Sequence, residues 1–399
     1  MKLKRLPDDF QVDERVTLSA GGGAVALYRL TKQSLTTLEA LDAIERKWRL
    51  QRRQIAFAGL KDKHALTQQF VTIADGPRRG LTQENLTLEY LGQTARPIHA
   101  GDITANGFTV VIRDLGEADV ATATAALQLA ADCGVPNYFD DQRFGSLGES
   151  GQYIADPWCR GDYERTLWLA IAEPNHRDRP IDREEKRLLC EHWGDWPRCR
   201  ERLGASKRQE IAAFLADQRS DFRRAIALLR QDLRSLWLAA YQSHLWNRIL
   251  AAVLREECRA EQLMLQSIAR SPSPFFQTLD ADQAARLTAL SLPLPSARSH
   301  LESGSLLQLY DRVLAEEGTA LRQIRVKYPR DSFFSKGERP ALFQPREVQH
   351  EIAADELYPG RQKLTLRFAL QRGSYATILI KRLTGIAGQE LEEDNGDDH

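Results

Sequence analysis

From the N-terminus to about residue 115 the apolar positions come in short runs bounded by turn residues. FQVDERV alternates, AVALYRL and IAFAGL are apolar, and QQFVTI, LTLEYL and GFTVVIRDL continue in the same manner. Short runs of this kind, rich in β-branched and aromatic side chains, predict strands. Over Ala118–Cys133 the pattern turns helical, and Gly134 and Pro136 are placed to stop that helix. The next segment, VPNYFDDQRFGS, holds too many breakers and charges for a core element. From about residue 161 the character changes, with Trp, Arg, Asp and Cys crowding through HWGDWPRCRERLG. Apolar residues spaced by three and four then predict one long helix from about Lys207 to Glu257. SPSPFF and LSLPLPS predict loops. After Tyr328-Pro329 the strand pattern returns and ends in KLTLRFALQRGSYATILIKRL, where Ser374 is placed to cap a short helix.

Strand-rich ends around a helical middle predict an α+β fold with a mixed, largely antiparallel sheet and an inserted domain. The expected bounds are 1–160 with 328–399 for the discontinuous α+β domain and 161–327 for the mostly helical insertion. An acidic tail, 388–399, is expected to be disordered.

The composition, 42% hydrophobic and 28% charged, suits a globular chain with a core. No apolar run approaches the roughly 18 residues of a membrane span, and MKLKRLPDDF lacks the apolar segment of a signal peptide. Five widely spaced cysteines offer no disulfide framework, so a reducing cytoplasm is expected. A formal net charge of zero argues at first against a nucleic-acid partner. The zero is a cancellation, however. Arg322 to Arg382 holds thirteen Lys and Arg against six Asp and Glu, and QELEEDNGDDH holds six acids with no Lys or Arg. ERKWRLQRRQ is a second basic run. Such runs are more often solvated helix faces than binding surfaces.

The second basic run leads straight into FAGLKDKHALTQQFVTI, where Asp62 stands between Lys61 and Lys63 at the end of an apolar strand. A turn aspartate bonded to its own backbone is the commoner use of an acid there. The alternative is a carboxylate nucleophile, which must be ionised; neighbouring ammonium groups favour that form and burial opposes it.

This stretch resembles the Gly-x-Lys-Asp-x-x-Ala-x-Thr-x-Gln signature of the TruD family of pseudouridine synthases. Four further segments resemble the family in the same order. They are LPDDFQVDE, YRLTKQSLTTLEAL, VPNYFDDQRFG and RFALQRGSYATILIKRL. The resemblance implies a pseudouridine-synthase-type catalytic domain at 1–160 and 328–399. It also implies isomerisation of uridine to pseudouridine in tRNA, at uridine 13 of the D-arm. Asp62 is then the catalytic aspartate, attacking either ribose C1′ or uracil C6. Phe10, Asn137 and Tyr375 match the positions that hold the target base, by stacking, by hydrogen bonding to a polar edge and by packing from the opposite side. Lys4 matches a lysine beside the catalytic carboxylate, and Lys61 and Arg143 are counted with the substrate-binding residues. Arg143 is equally placed to lock its loop on Asp140 or Asp141. Lys32 is a candidate for contacts to the RNA backbone. The pattern departs at Asp140, where the family has glycine.

Physical chemistry supports these roles. A base removed from its stack loses a few kcal/mol, and aromatic faces with a hydrogen-bonding amide replace what it loses. An isomerisation with no net redox or group transfer implies no cofactor and no metal. The partner implied is tRNA, with the basic strip near the C-terminus as the surface facing it, no membrane, and a monomeric protein. Cys190, His192 and Cys199 lack zinc-site spacing, and GGGAV lacks the strand that precedes a dinucleotide loop. The competing reading is a catalytically idle RNA-binding or chaperone protein of the same fold.

Overall fold

The computed structural model describes residues 1–63 and 65–385, so the acidic tail lies outside the described residues. Two compact units emerge. One comprises, among the described residues, 1–135, 277–279 and 342–385; the other comprises 136–276 and 280–341. The second unit is therefore wider than the 161–327 expected from pattern. Ile154, Trp158 and Phe334, all outside those bounds, are buried in one cluster with Leu167, Trp196, Ile211 and Leu245. Apolar burial, which favours folding by about 1.5–3 kcal/mol per large side chain, assigns the flanking segments to this unit.

The first unit is built on a sheet of β1 (Lys2–Leu3), β2 (Phe10–Val16), β3 (Val25–Lys32), β4 (Ile55–Phe57), β5 (Leu66–Ala74), β6 (Leu81–Gln83), β7 (Leu86–Thr94) and β8 (Ile103–Leu115), with the strands Arg346–Ala354 and Gln362–Leu370. The order is 346–354, 362–370, β8, β2, β5, β3, β7, β6, with β1 added to β8 and β4 to β5. Only β2 and β5 run parallel. The sheet is thus mixed and largely antiparallel, as expected.

Helix α1 (Thr37–Trp48) covers one face. It starts on a capping box: the Thr36 hydroxyl accepts from the Glu39 N–H at 3.1 Å, and the Glu39 carboxylate accepts from the Thr36 N–H at 2.7 Å. Ala40, Leu41 and Ile44 then pack on Tyr28, Leu30, Val71, Ile73 and Leu88. Helix α2 (Glu117–Cys133) ends on Gly134, as expected, and packs against the helix Ala376–Thr384. The latter does not begin on Ser374. Gly373 has φ 90°, Ser374 closes a turn on the Gln371 carbonyl, and the helix starts one residue later with Tyr375 at its N-cap and no side-chain cap bond.

In the second unit the single long helix divides into Lys207–Asp217, Phe222–Ala227 and Gln231–Glu257. Ser220 has φ 68°, which no helix continues, and Asp221 restarts the chain by accepting the Arg224 N–H. SPSPFF is a strand, not a loop, and LSLPLPS is strand only at Ser291–Pro293. Ser271–Phe276 pairs antiparallel with Leu263–Ile268, and Ser291–Pro293 pairs with Glu338–Pro340. Pro272 and Pro274 alternate, so both share one edge of a two-stranded ribbon.

Candidate active site

Asp62 sits in the loop from β4 to β5, and the first unit pins that loop from several sides. The Lys61 N–H donates to the Thr37 hydroxyl at 2.9 Å, Thr37 donates to Gln69 Oε1 at 2.9 Å, and Gln69 Nε2 returns to the Gly59 carbonyl at 3.1 Å. Thr37 and Gln69 are both buried. Lys32, at the end of β3, sends its ammonium to the Asp62 and Leu35 carbonyls, each at 2.6 Å. The Lys61 ammonium is 2.6 Å from Glu14 Oε1 and 3.0 Å from Asn106 Oδ1. Glu14 Oε2 in turn accepts from the Phe70 N–H. A loop tied to four strands and one helix in this way presents a side chain with little freedom to reorient.

The Asp62 carboxylate is 35% exposed, and Lys4 Nζ lies 3.7 Å from it. Lys4 has φ 52°, an uncommon conformation for a residue with a side chain, and its ammonium is 4.8 Å from the centre of the Phe10 ring. An ion pair this exposed contributes about 0–1 kcal/mol net, so it serves the aim of the carboxylate rather than the stability of the fold. Phe10 is buried and meets Phe108 edge-on. The structure thus brings Lys4, Phe10 and Asp62 together, and a base stacking on the ring face under Lys4 requires that lysine to move.

Lys32 is 1% exposed and cannot reach an RNA backbone, contrary to expectation; it holds the loop instead. Burial lowers its ammonium from the usual 10.5 to about 8, against the opposing pull of Asp62 and Glu39. The folded value lies below the unfolded one, so between about pH 8 and 10.5 the unfolded chain binds the extra proton and folding gains as pH rises. Urea denaturation of the unaltered protein and of Lys32→Met checks this. The stability difference is expected to shift in favour of the lysine from neutral pH to about pH 10, and to stay constant below neutrality.

Other expected site residues have different surroundings. Lys61 is buried on Glu14, away from the exposed carboxylate. Tyr375 is half-buried at its helix N-cap. In the second unit Asn137 is buried, and its amide is engaged by the chain: Nδ2 donates to the Pro340 carbonyl at 3.1 Å and Oδ1 accepts from Arg339 Nη2 at 2.7 Å. Arg143 Nε donates to the Ser243 hydroxyl at 3.2 Å, and its guanidinium lies 5.7 Å from the Phe139 ring centre. Asp140 has φ −96°, so the backbone there does not demand glycine. Sequence reasoning passed over Arg339, which also lies over the Phe139 ring at 4.1 Å; the only signal was its place inside the basic strip. That strip is not one surface. Arg339, Lys381 and Arg382 are buried, while Arg361, Lys363 and Arg367 are paired with Asp114, Glu356 and Glu351.

Among the described residues no group of His, Cys, Asp and Glu is arranged to hold a metal, and no helix is long and apolar enough to cross a membrane.

This fold is similar to that of a crystal structure described as a putative tRNA pseudouridine synthase D (TruD) from Methanosarcina mazei. The two superpose with a TM-score of 0.74 over 97% of this chain and 94% of that one, at 23% identity. The family model described as tRNA pseudouridine synthase D (TruD) matches residues 1–383. A Methanocaldococcus jannaschii protein named "Probable tRNA pseudouridine synthase D 2" is 30% identical, with 96% of this chain and 91% of that protein covered. The Aquifex aeolicus tRNA pseudouridine synthase D is 28% identical, with 96% and 98% covered. The fold class is that of a pseudouridine synthase, an isomerase. The chain belongs to the TruD family.

Proposed function

We propose that this chain isomerises uridine to pseudouridine in tRNA, at uridine 13 of the D-arm, with Asp62 as the nucleophile. The carrying observation is the Asp62 carboxylate, part exposed on a loop otherwise fixed by buried bonds and facing the Lys4 ammonium at 3.7 Å. The target base leaves its stack, the bond from C1′ to N1 breaks, the uracil turns, and C5 bonds to C1′ while the C5 proton is lost and N1 gains one. Attack by Asp62 at C1′ and attack at C6 both fit a single carboxylate. Tyr375 and Phe10 supply aromatic walls in the first unit, and Lys4 orients the nucleophile.

The test is incubation of unmodified tRNA transcript with the purified protein and no added small molecule, followed by chemical mapping of pseudouridine. Modification at position 13 is the expected result. RNA binding without modification of any uridine would favour the idle RNA-binding protein instead.

A further inference from the structure

The sheet of the first unit carries a second polar feature that the nucleophile does not use. A cavity of about 290 Å³ opens beside the end of the strand Gln362–Leu370, lined by Arg346 and Arg372 with the Thr104 side chain and Gln371. No carboxylate lines it. Arg346 is exposed, and its guanidinium makes no hydrogen bond or ion pair among the described residues. Arg372 is also exposed and spends one N–H on the Ala100 carbonyl at 3.0 Å. Two guanidinium groups sharing one opening repel each other unless an anion sits between them.

The backbone supports the placement of Arg346. The edge strand Arg346–Ala354 breaks register with its neighbour between Arg346 and Gln349. Glu347, inside this irregularity, has φ 53° and is held by Arg15 at 2.7 Å. A bulge at a sheet edge re-aims the side chains beside it and recurs next to functional sites. Here it separates Arg346 from the acid that follows, since Glu347 is committed to Arg15.

The cavity also adjoins the support of the nucleophile loop. Its lining residues Ala105 and Leu370 flank Asn106, which pairs with Leu370 across the sheet and accepts the Lys61 ammonium at 3.0 Å. Lys61 immediately precedes Asp62. Arg372 stands three residues before Tyr375.

We propose that Arg346 and Arg372 form a phosphate site that grips the substrate RNA strand at a phosphodiester close to the target nucleotide. Guanidinium groups bind phosphate oxygens through paired N–H donors, a geometry lysine does not reproduce. The inference rests on the pseudouridine synthase reading only for the identity of the RNA.

The experiment measures affinity for an unmodified tRNA transcript across a salt series, using the full-length protein and the double variant Arg346→Gln/Arg372→Gln. For every phosphate that the variant no longer neutralises, the slope of log affinity against log salt is expected to flatten by about 0.7–0.9. KM is expected to rise at least about tenfold, more than kcat falls, and Arg→Lys at both positions is expected to restore most of the salt slope but less of the affinity. Arg346→Gln alone guards against misfolding, because that side chain bonds to nothing in the described protein. An unchanged slope and affinity in both the single and the double variant overturns the proposal. Normal pseudouridine formation with an unchanged slope defeats this inference alone. A flattened slope with no pseudouridine formed by the unaltered protein defeats the activity reading and leaves the phosphate site standing.

Discussion

Replacing Asp62 by asparagine is expected to abolish pseudouridine formation while leaving the protein folded and the RNA bound. Asparagine is nearly isosteric with aspartate but is no nucleophile, and loss of a nucleophile commonly costs on the order of 10³-fold or more in turnover. The loop's anchors are main-chain groups held by Lys32 and Thr37 and the buried Lys61–Glu14 pair, so the melting transition is expected to stay in place. Affinity for tRNA is expected to remain within about tenfold, since one negative charge is removed and almost no surface. Single-turnover assays with mapping, alongside calorimetry, separate the outcomes. A collapsed melting transition would make Asp62 a structural turn residue, and full activity would place the nucleophile elsewhere.

The largest effect on stability is expected at Arg113. Its guanidinium is 3% exposed and binds Asp9 at 2.8 Å, Asp355 at 3.0 Å and Glu356 at 3.1 Å. Asp9 and Asp355 are themselves buried. Arg113→Met would leave two buried carboxylates without their cation, at a cost of about 3–5 kcal/mol. At about 2–4 °C per kcal/mol for a domain of this size, the transition of the first unit is expected to fall by about 6–20 °C. Arg113→Lys should recover only part of the loss, because one ammonium cannot serve three carboxylates spread around a planar fork.

Acid should weaken the same cluster. Burial raises the Asp355 carboxyl, but the Asp114 and Leu357 N–H groups and Arg113 outweigh it and hold it below its usual range. A depressed carboxyl contributes stability above its unfolded pKa and loses it as pH falls through the folded one. The gap between the unaltered protein and Arg113→Met is therefore expected to narrow below about pH 4. Because Asp9 leads directly into Phe10, turnover should fall with stability. A melting curve unmoved by Arg113→Met would show that the carboxylates find other partners.

Much of the first unit was legible along the chain. Alternation and short apolar runs located β2, β3, β5, β7 and β8, because these signals depend on neighbours within a few residues. Asp62, Lys4 and Phe10 were legible only through a motif resemblance; their spacing alone favoured a turn and a core aromatic. The errors share a cause. Lys32 read as a cation available to RNA, and it is buried against the Asp62 carbonyl, a partner distant in sequence. Ser220 and Asp221 carried a stop-and-restart signal inside an otherwise continuous helical pattern, and the apolar spacing masked it. Prolines 272 and 274 read as loop residues because strand pairing is a property of the partner segment, not of composition.

The sequence by itself determined the strand-rich ends, the helical middle and the family, since each rests on local periodicity or on residues in order along the chain. Tertiary structure decided where the two units divide, which cations are spent inside the protein and which remain exposed, and what holds the Asp62 loop. Those outcomes depend on contacts between distant segments, where burial and charge pairing are set by three-dimensional neighbours that no short window of sequence contains.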